Sequence, residues 1–163
     1  YSEKEIARVL YEYGDIKQSR KIAQKIVKYR FDNNIETTSQ LKDILSAFYP
    51  KKIENKFLSK FFQALRIEVN DEINALKDLL NDVVDLMNDK ARLVVISYHS
   101  LEDKLIKNLI TKGNVDGIDE NDFFGNRKLQ LTPINKKVIV PTDSECNVNS
   151  RARSAKLRIA EKI

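Results

Sequence analysis

Apolar side chains recur at helical spacing through most of this chain. Ile6, Val9, Leu10 and Tyr13 fall three and four residues apart, behind a Ser2/Glu5 pair spaced as a capping box and ahead of Gly14. A first helix ending near Tyr13 is expected. Asp15 is placed to cap a second helix reaching about Tyr29, with Ile22, Ala23, Ile26 and Val27 on its buried stripe and Lys21, Lys25 and Lys28 outside. Thr37 and Gln40 repeat the capping-box spacing before Leu41, Ile44, Leu45 and Phe48, and Pro50 stops that helix. Everything up to Pro50 therefore reads as helical.

From Glu54 onward, Lys56 and Lys60 are set among Phe57, Leu58, Phe61 and Phe62. The series Leu65, Val69, Ile73, Leu76, Leu80, Val83 and Met87 then runs on without interruption, predicting one long helix. After Asn88-Asp-Lys90 the period changes. Arg92-Leu-Val-Val-Ile-Ser97 is a continuous β-branched run, as in a strand buried on both faces, and a helix followed by such a strand implies a parallel α/β sheet. Ser100 and Asp103 have cap spacing for a helix over 101–111, and the Gly-, Asp- and Asn-containing stretch 113–126 reads as a mobile loop. Residues 129–132 and 138–140 are short strand candidates, 141–149 a turn or short helix, and 155–160 alternates like a final strand.

Of the 163 residues, 42% are apolar and 33% charged, which describes a globular domain and excludes a disordered chain. No run approaches the ~20 apolar residues of a membrane-spanning helix, and no leader-like segment precedes the first helix. The expected compartment is the cytoplasm, with no membrane partner. An excess of 29 Lys plus Arg over 24 Asp plus Glu, net +5, favours an anionic partner such as nucleic acid. The lone Cys146 excludes an internal disulfide and a cysteine-based metal cluster. The start at Tyr1 rather than Met, and four glycines that form no nucleotide-binding loop, suggest a piece of a longer protein.

Three places carry candidate chemistry. Gln63, Arg66 and Asn70 share one face of the long helix; the amides can read a base edge or hold a sugar, and Arg66 can clamp a phosphate or carboxylate. A solvated face with an internal Arg66 salt bridge is the plainer alternative. His99, the sole histidine, follows the apolar strand at its carboxyl end, where open α/β sheets bind ligands. That makes the turn of His99, Ser100, Glu102 and Asp103 a candidate substrate site, against the plainer reading in which Ser100 and Asp103 cap a helix and Glu102 serves its dipole. A hydrolase triad is disfavoured because Ser100 lacks a glycine-flanked elbow, and one histidine is poor support for a metal. Finally, Arg151, Arg153, Ser154, Lys156 and Arg158 cluster around the start of the last strand. Alternation puts Lys156 and Arg158 on one face over a buried Leu157 and Ile159, a basic ridge suited to phosphates. Lys52, Arg127 and Lys136 add to the cationic surface, and Phe61, Phe62, Tyr98, Phe123 and Phe124 are aromatics able to stack on bases, with core packing the plainer reading for most of them.

Phe62-Gln-Ala-Leu-Arg-Ile-Glu-Val-Asn-Asp-Glu72, Val95-Ile-Ser-Tyr-His-Ser-Leu-Glu-Asp103 and Ser150-Arg-Ala-Arg-Ser-Ala-Lys-Leu-Arg158, in this order, resemble the C-terminal signatures of a known family. It is the bacterial small-subunit ribosomal RNA cytosine-N(4)-methyltransferase family, called RsmH or MraW. Tyr1-Ser-Glu-Lys-Glu5, Leu10-Tyr-Glu-Tyr-Gly14, Ser19-Arg20 and Ile35-Glu-Thr-Thr38 resemble its inserted helical region, so the likeness spans nearly the whole chain. Departures are local: Asn88-Asp-Lys-Ala91 stands where the family has Pro-Gly-Gly, Asn149-Ser-Arg-Ala-Arg-Ser154 where it has Asn-Pro-Arg-Ser-Arg-Ser, and Lys60-Phe-Phe-Gln63 where it has Arg-Thr-Phe-Gln.

The resemblance implies an α/β fold: a helical insert subdomain over 1–60, then the later half of a Rossmann-like sheet over 61–163. It further implies an S-adenosyl-L-methionine-dependent enzyme that methylates a cytidine of the decoding region, with small-subunit ribosomal RNA or the small subunit as partner. The cofactor-binding loop is expected upstream of Tyr1, which would leave the chain inactive alone. The strand over 93–97 would be central in the parent sheet, so its bare edge favours a homodimer. Within this picture Asn70 and His99 are expected as catalytic-site residues. Gln63, Arg66, Ser100, Glu102, Asp103, Arg151, Arg153, Ser154 and Lys156 are expected to bind substrate. A non-catalytic RNA-binding or assembly module derived from the same fold is the alternative.

Overall fold

The computed structural model describes residues 1–119 and 128–163. Part of the loop expected over 113–126, with Phe123, Phe124 and Arg127, lies outside the described residues. Two compact units result, Tyr1–Glu72 and Ile73–Ile163.

The first unit is helical: α1 (Glu3–Glu12), α2 (Ser19–Asp32), α3 (Thr38–Leu45) and α4 (Glu54–Val69), with 3-10 turns at Ser46–Phe48 and Lys51–Ile53. Both expected capping boxes form, Ser2 with Glu5 and Thr37 with Gln40. Val9, Leu10, Ile22, Ile26, Leu45, Phe61 and Ala64 make the core, and Phe61 stands edge-on to Phe62 with ring centroids 5.4 Å apart. Lys60 and Phe61, which flank the domain boundary expected from the sequence, both lie within α4. Asp15 does not cap α2. It takes a left-handed conformation, φ 49°, and accepts a hydrogen bond from Lys60 at 3.0 Å, while α2 begins four residues later behind Gln18 with no side-chain cap.

The single long helix expected from 54 to 87 is two helices. Asn70 caps the end of α4, Asp71 turns the chain at φ 52°, and α5 (Glu72–Leu86) follows. The apolar series crosses this break because its parts serve different cores. Leu65 packs in the helical unit, Ile73, Leu76 and Leu80 in the second, and Val69 between them is 82% exposed.

The second unit continues with β1 (Arg92–Ser97), α6 (Ser100–Lys112), β2 (Leu131–Pro133), α7 (Asp143–Val148), a 3-10 turn at Ser150–Ser154 and β3 (Lys156–Lys162). Its sheet has the order β1-β3-β2 with both pairings antiparallel, so the parallel sheet inferred from the helix–strand succession is corrected. β1 and β2 both run against the strand between them. Leu93 and Val95 face the core formed with Leu105, Ile106, Leu109 and Ala160, whereas Val94 and Ile96 are 57% and 56% exposed. The run is thus covered on one face only. Residues 138–140 contribute one bridge, Ile139 to Leu157, in place of a strand.

Candidate substrate-binding site

In the helical unit the candidate residues gather at the end of α4. Arg66 donates from Nε and Nη2 to the two carboxylate oxygens of Glu72 at 2.8 and 3.0 Å, and Asn70 donates from Nδ2 to the same carboxylate at 3.2 Å. The left-handed Asp71 makes this possible by folding Glu72 back toward the last turn of α4. Glu72 is the residue that sequence reasoning passed over, although it closes the first motif. Its carboxylate fixes the Asn70 amide with Oδ1 as the acceptor left for a partner, and directs the Arg66 fork. Gln63 lies two turns earlier on α4, half-buried.

In the second unit the helix cap is His99, one residue before the expected Ser100. His99 has extended backbone angles, its Nδ1 accepts the Leu101 N–H at 3.3 Å, and Glu102 Oε2 accepts the N–H groups of Tyr98 and His99 at 3.0 and 3.1 Å. With Nδ1 an acceptor, Nε2 is the donor of the neutral ring. Ser100 is exposed in the first turn. Asp103, released from capping, is 8% exposed and accepts from Arg158 Nε at 2.7 Å, Arg158 Nη2 at 3.2 Å and Lys156 Nζ at 3.2 Å. Burial works against its ionisation, but the hydrogen bonds and charges of Arg158 and Lys156 together outweigh burial and hold the carboxyl below its ordinary value.

Lys156 and Arg158 therefore occupy the helix-covered face of β3, tied to α6, and are not a free ridge. Leu157 and Ile159, expected to be the buried row, lie opposite Ile96 and Val94 on the other face. Ser97 pairs with Lys156, so the turn after β1 and the 3-10 turn before β3 leave the sheet at the same end. This brings the His99 turn and Arg151, Arg153 and Ser154 to one end of the unit. Ala152 anchors the 3-10 turn by burial, and Asn149 accepts the Arg151 N–H at 3.1 Å, leaving Arg151, Arg153 and Ser154 exposed. Neither arginine has an ion pair to a described residue. At the same end Ser97 is 3% exposed and its hydroxyl has no hydrogen-bond partner. No sequence signal marked it beyond its place at the strand's end.

Among the described residues no group of three His, Cys, Asp or Glu side chains is placed to hold a metal, and no helix is long and apolar enough to cross a membrane. The β1–α6 turn offers no cradle for a nucleotide-like cofactor either. It has no glycine, and Glu102 and His99 already take the amides of Tyr98, His99 and Leu101.

The model of the MraW methylase family matches residues 1–163. The chain belongs to that family. Curated members named ribosomal RNA small subunit methyltransferase H are similar to it. The Parabacteroides distasonis protein is 50% identical over 163 residues, all of this chain and 53% of that protein. Its counterpart in Bacteroides thetaiotaomicron is 48% identical over 162 residues, 99% and 53%. In Flavobacterium johnsoniae the identity is 45% over 163 residues, all of this chain and 54% of the relative. The chain thus spans about half the length of the curated relatives it matches.

Proposed function

We propose that this chain is part of an S-adenosyl-L-methionine-dependent methyltransferase acting on the N(4) amine of a cytidine in the decoding region of small-subunit ribosomal RNA, and that it supplies RNA- and cytidine-binding groups. The observation that carries this reading is family membership along all 163 residues, among relatives named for small-subunit ribosomal RNA methylation. Residues 1–60 correspond to a helical insert and 61–163 to the later half of a Rossmann-like sheet. β1 has no strand on its second side among the described residues, and an edge where further strands can pair supports that assignment.

A cytosine amine is a weak nucleophile because its lone pair is delocalised into the ring, so the protein's work is to fix the amine and drain its proton as charge develops. Asn70 Oδ1, with Nδ2 anchored on Glu72, accepts a hydrogen bond from that amine. Gln63, on the same helix as Asn70, reads the base edge, and His99 is proposed as a substrate-contacting residue of the second unit. Arg66, Arg151, Arg153 and Ser154 serve the backbone, Lys156 holds Asp103 together with Arg158, and Ser100, Glu102 and Asp103 shape the turn that presents His99. Adenosylmethionine supplies the methyl group when bound. The β1–α6 turn, whose amides are taken by Glu102 and His99, is not its cradle.

In the complete protein Asn70→Ala should lower turnover about a hundredfold, the cost of removing one oriented polar group, with adenosylmethionine affinity unchanged. His99→Asn separates capping from substrate contact. Asparagine is itself a good N-cap, so Tm should stay within about 3 °C while turnover falls about tenfold. Unchanged turnover in either variant removes that residue from the site.

A further inference from the structure

We infer that the N-terminus of α2, with the cleft in front of it, binds a backbone phosphate of an RNA strand, at a site lying wholly within the helical unit and distinct from the residues above. The partner's identity as RNA rests on the function just proposed; the anion site does not.

A cleft of about 1030 Å³ opens between α1 and the start of α2. Gln18 gives α2 no side-chain cap, and the first turn contains no acidic residue. The Ser19 N–H donates to the Ile16 carbonyl at 3.1 Å and the Ile22 N–H to the Gln18 carbonyl at 3.1 Å, but the N–H groups of Arg20 and Lys21 between them find no acceptor among the described residues. Two backbone donors at the positive end of a helix dipole thus face the cleft. A second observation points to the same place. Ser19, 4% exposed, lines the cleft with a hydroxyl that makes no hydrogen bond. The side chain is thus nearly enclosed with its oxygen open to the cleft, where an anion would satisfy hydroxyl and amides together.

The surrounding charge selects for an anion. Lys4, Lys17, Arg20 and Lys21 line the cleft without an ion pair to any described residue, while Arg8 is committed to Glu12 at 3.1 Å and Glu68 at 2.7 Å. Glu12 is thereby neutralised, leaving Glu3 as the opposing acid in the lining. Two features favour a polynucleotide over an isolated phosphate group. Exposed Tyr11 borders the cleft, with a ring on which a base can stack. Lys25 and Lys28 continue from Lys21 along the exposed face of α2, about 5.4 Å per turn, giving a track for successive phosphates.

The test uses residues 1–163, a short fluorescein-labelled single-stranded RNA followed by anisotropy across a KCl series, and inorganic phosphate followed by amide chemical shifts. The Arg20 and Lys21 amides should shift with phosphate in the unaltered chain. Ser19→Ala should weaken RNA binding about tenfold without changing the salt dependence, since only a neutral donor is lost. Arg20→Ala with Lys21→Ala should reduce the slope of log K against log salt by about 1 to 2. Amides unmoved by phosphate overturn the anion site. An unaltered chain that binds RNA, with both variants indistinguishable from it, overturns this location and leaves the RNA function standing. No RNA binding even at low salt counts against that function and removes this partner, as does tighter binding to vesicles of anionic lipid.

Discussion

Asp103 shows how one carboxylate divides the labour of a basic cluster. It engages Lys156 and Arg158, so these two fasten β3 to α6, and the charge left for a polyanion falls to Arg151 and Arg153 on the exposed turn. Breaking a buried pair leaves uncompensated charge, so Asp103→Asn should cost about 3 kcal/mol at neutral pH. The pH dependence follows from the depressed carboxyl. As acid is added the unfolded chain binds this proton first, so the contribution is whole above about pH 4, the ordinary carboxylate range, and is lost as pH falls through the lower folded value. Thermal melts down to about pH 2 should show a steep acid limb in the unaltered chain and a shallower one in Asp103→Asn. Equal acid limbs would mean that Asp103 is not held in its charged form. The sequence placed Lys156 and Arg158 together correctly but could not show their anchor, because Asp103 lies 53 and 55 residues away along the chain.

At the level of elements, what could be read was what is local. The Ser2/Glu5 and Thr37/Gln40 boxes form as spaced, since a cap depends on four consecutive residues. The Ser100/Asp103 pair has a suitable spacing too, yet His99 with Glu102 wins, the same motif one residue earlier, because Asp103 is drawn to the cations of β3. The break at Asp71 was hidden by an apolar series that keeps its period while changing cores. Strand direction was likewise beyond reach, being fixed by pairing between residues about sixty positions apart, such as Ser97 with Lys156. The end of α6 is a further local device. Gly113 holds it in the left-handed conformation, φ 81°, and a Cβ there would lie 2.4 Å from the Lys128 carbonyl oxygen. Gly113→Ala combines backbone strain with that clash and should destabilise the chain by about 2 kcal/mol or more in urea denaturation. A cost under about 0.5 kcal/mol would show that the Lys128 segment yields freely.

For the whole molecule, the helical unit and the unit built on α5, α6 and the sheet each have their own core. In the second, β1 has β3 on one side and no strand on the other among the described residues, and Val94 and Ile96 stand exposed beside that bare edge. An edge of this kind carries unpaired N–H and C=O groups in a β-branched setting, which is a template for another strand. Residues 1–163 should therefore self-associate as concentration rises, seen in sedimentation as a growing larger species. Val94→Lys should suppress it, since a charge on the edge strand disfavours a second strand without touching the Leu93 and Val95 side of the core. The coupling of the two measurements gives the test its force. A compact monomer at high concentration would mean that the open face is stable in water, and association that survives Val94→Lys would place the contact elsewhere. Association lost in the variant, with its Tm unchanged, would identify the β1 edge as the surface that further strands of the parent sheet are proposed to cover.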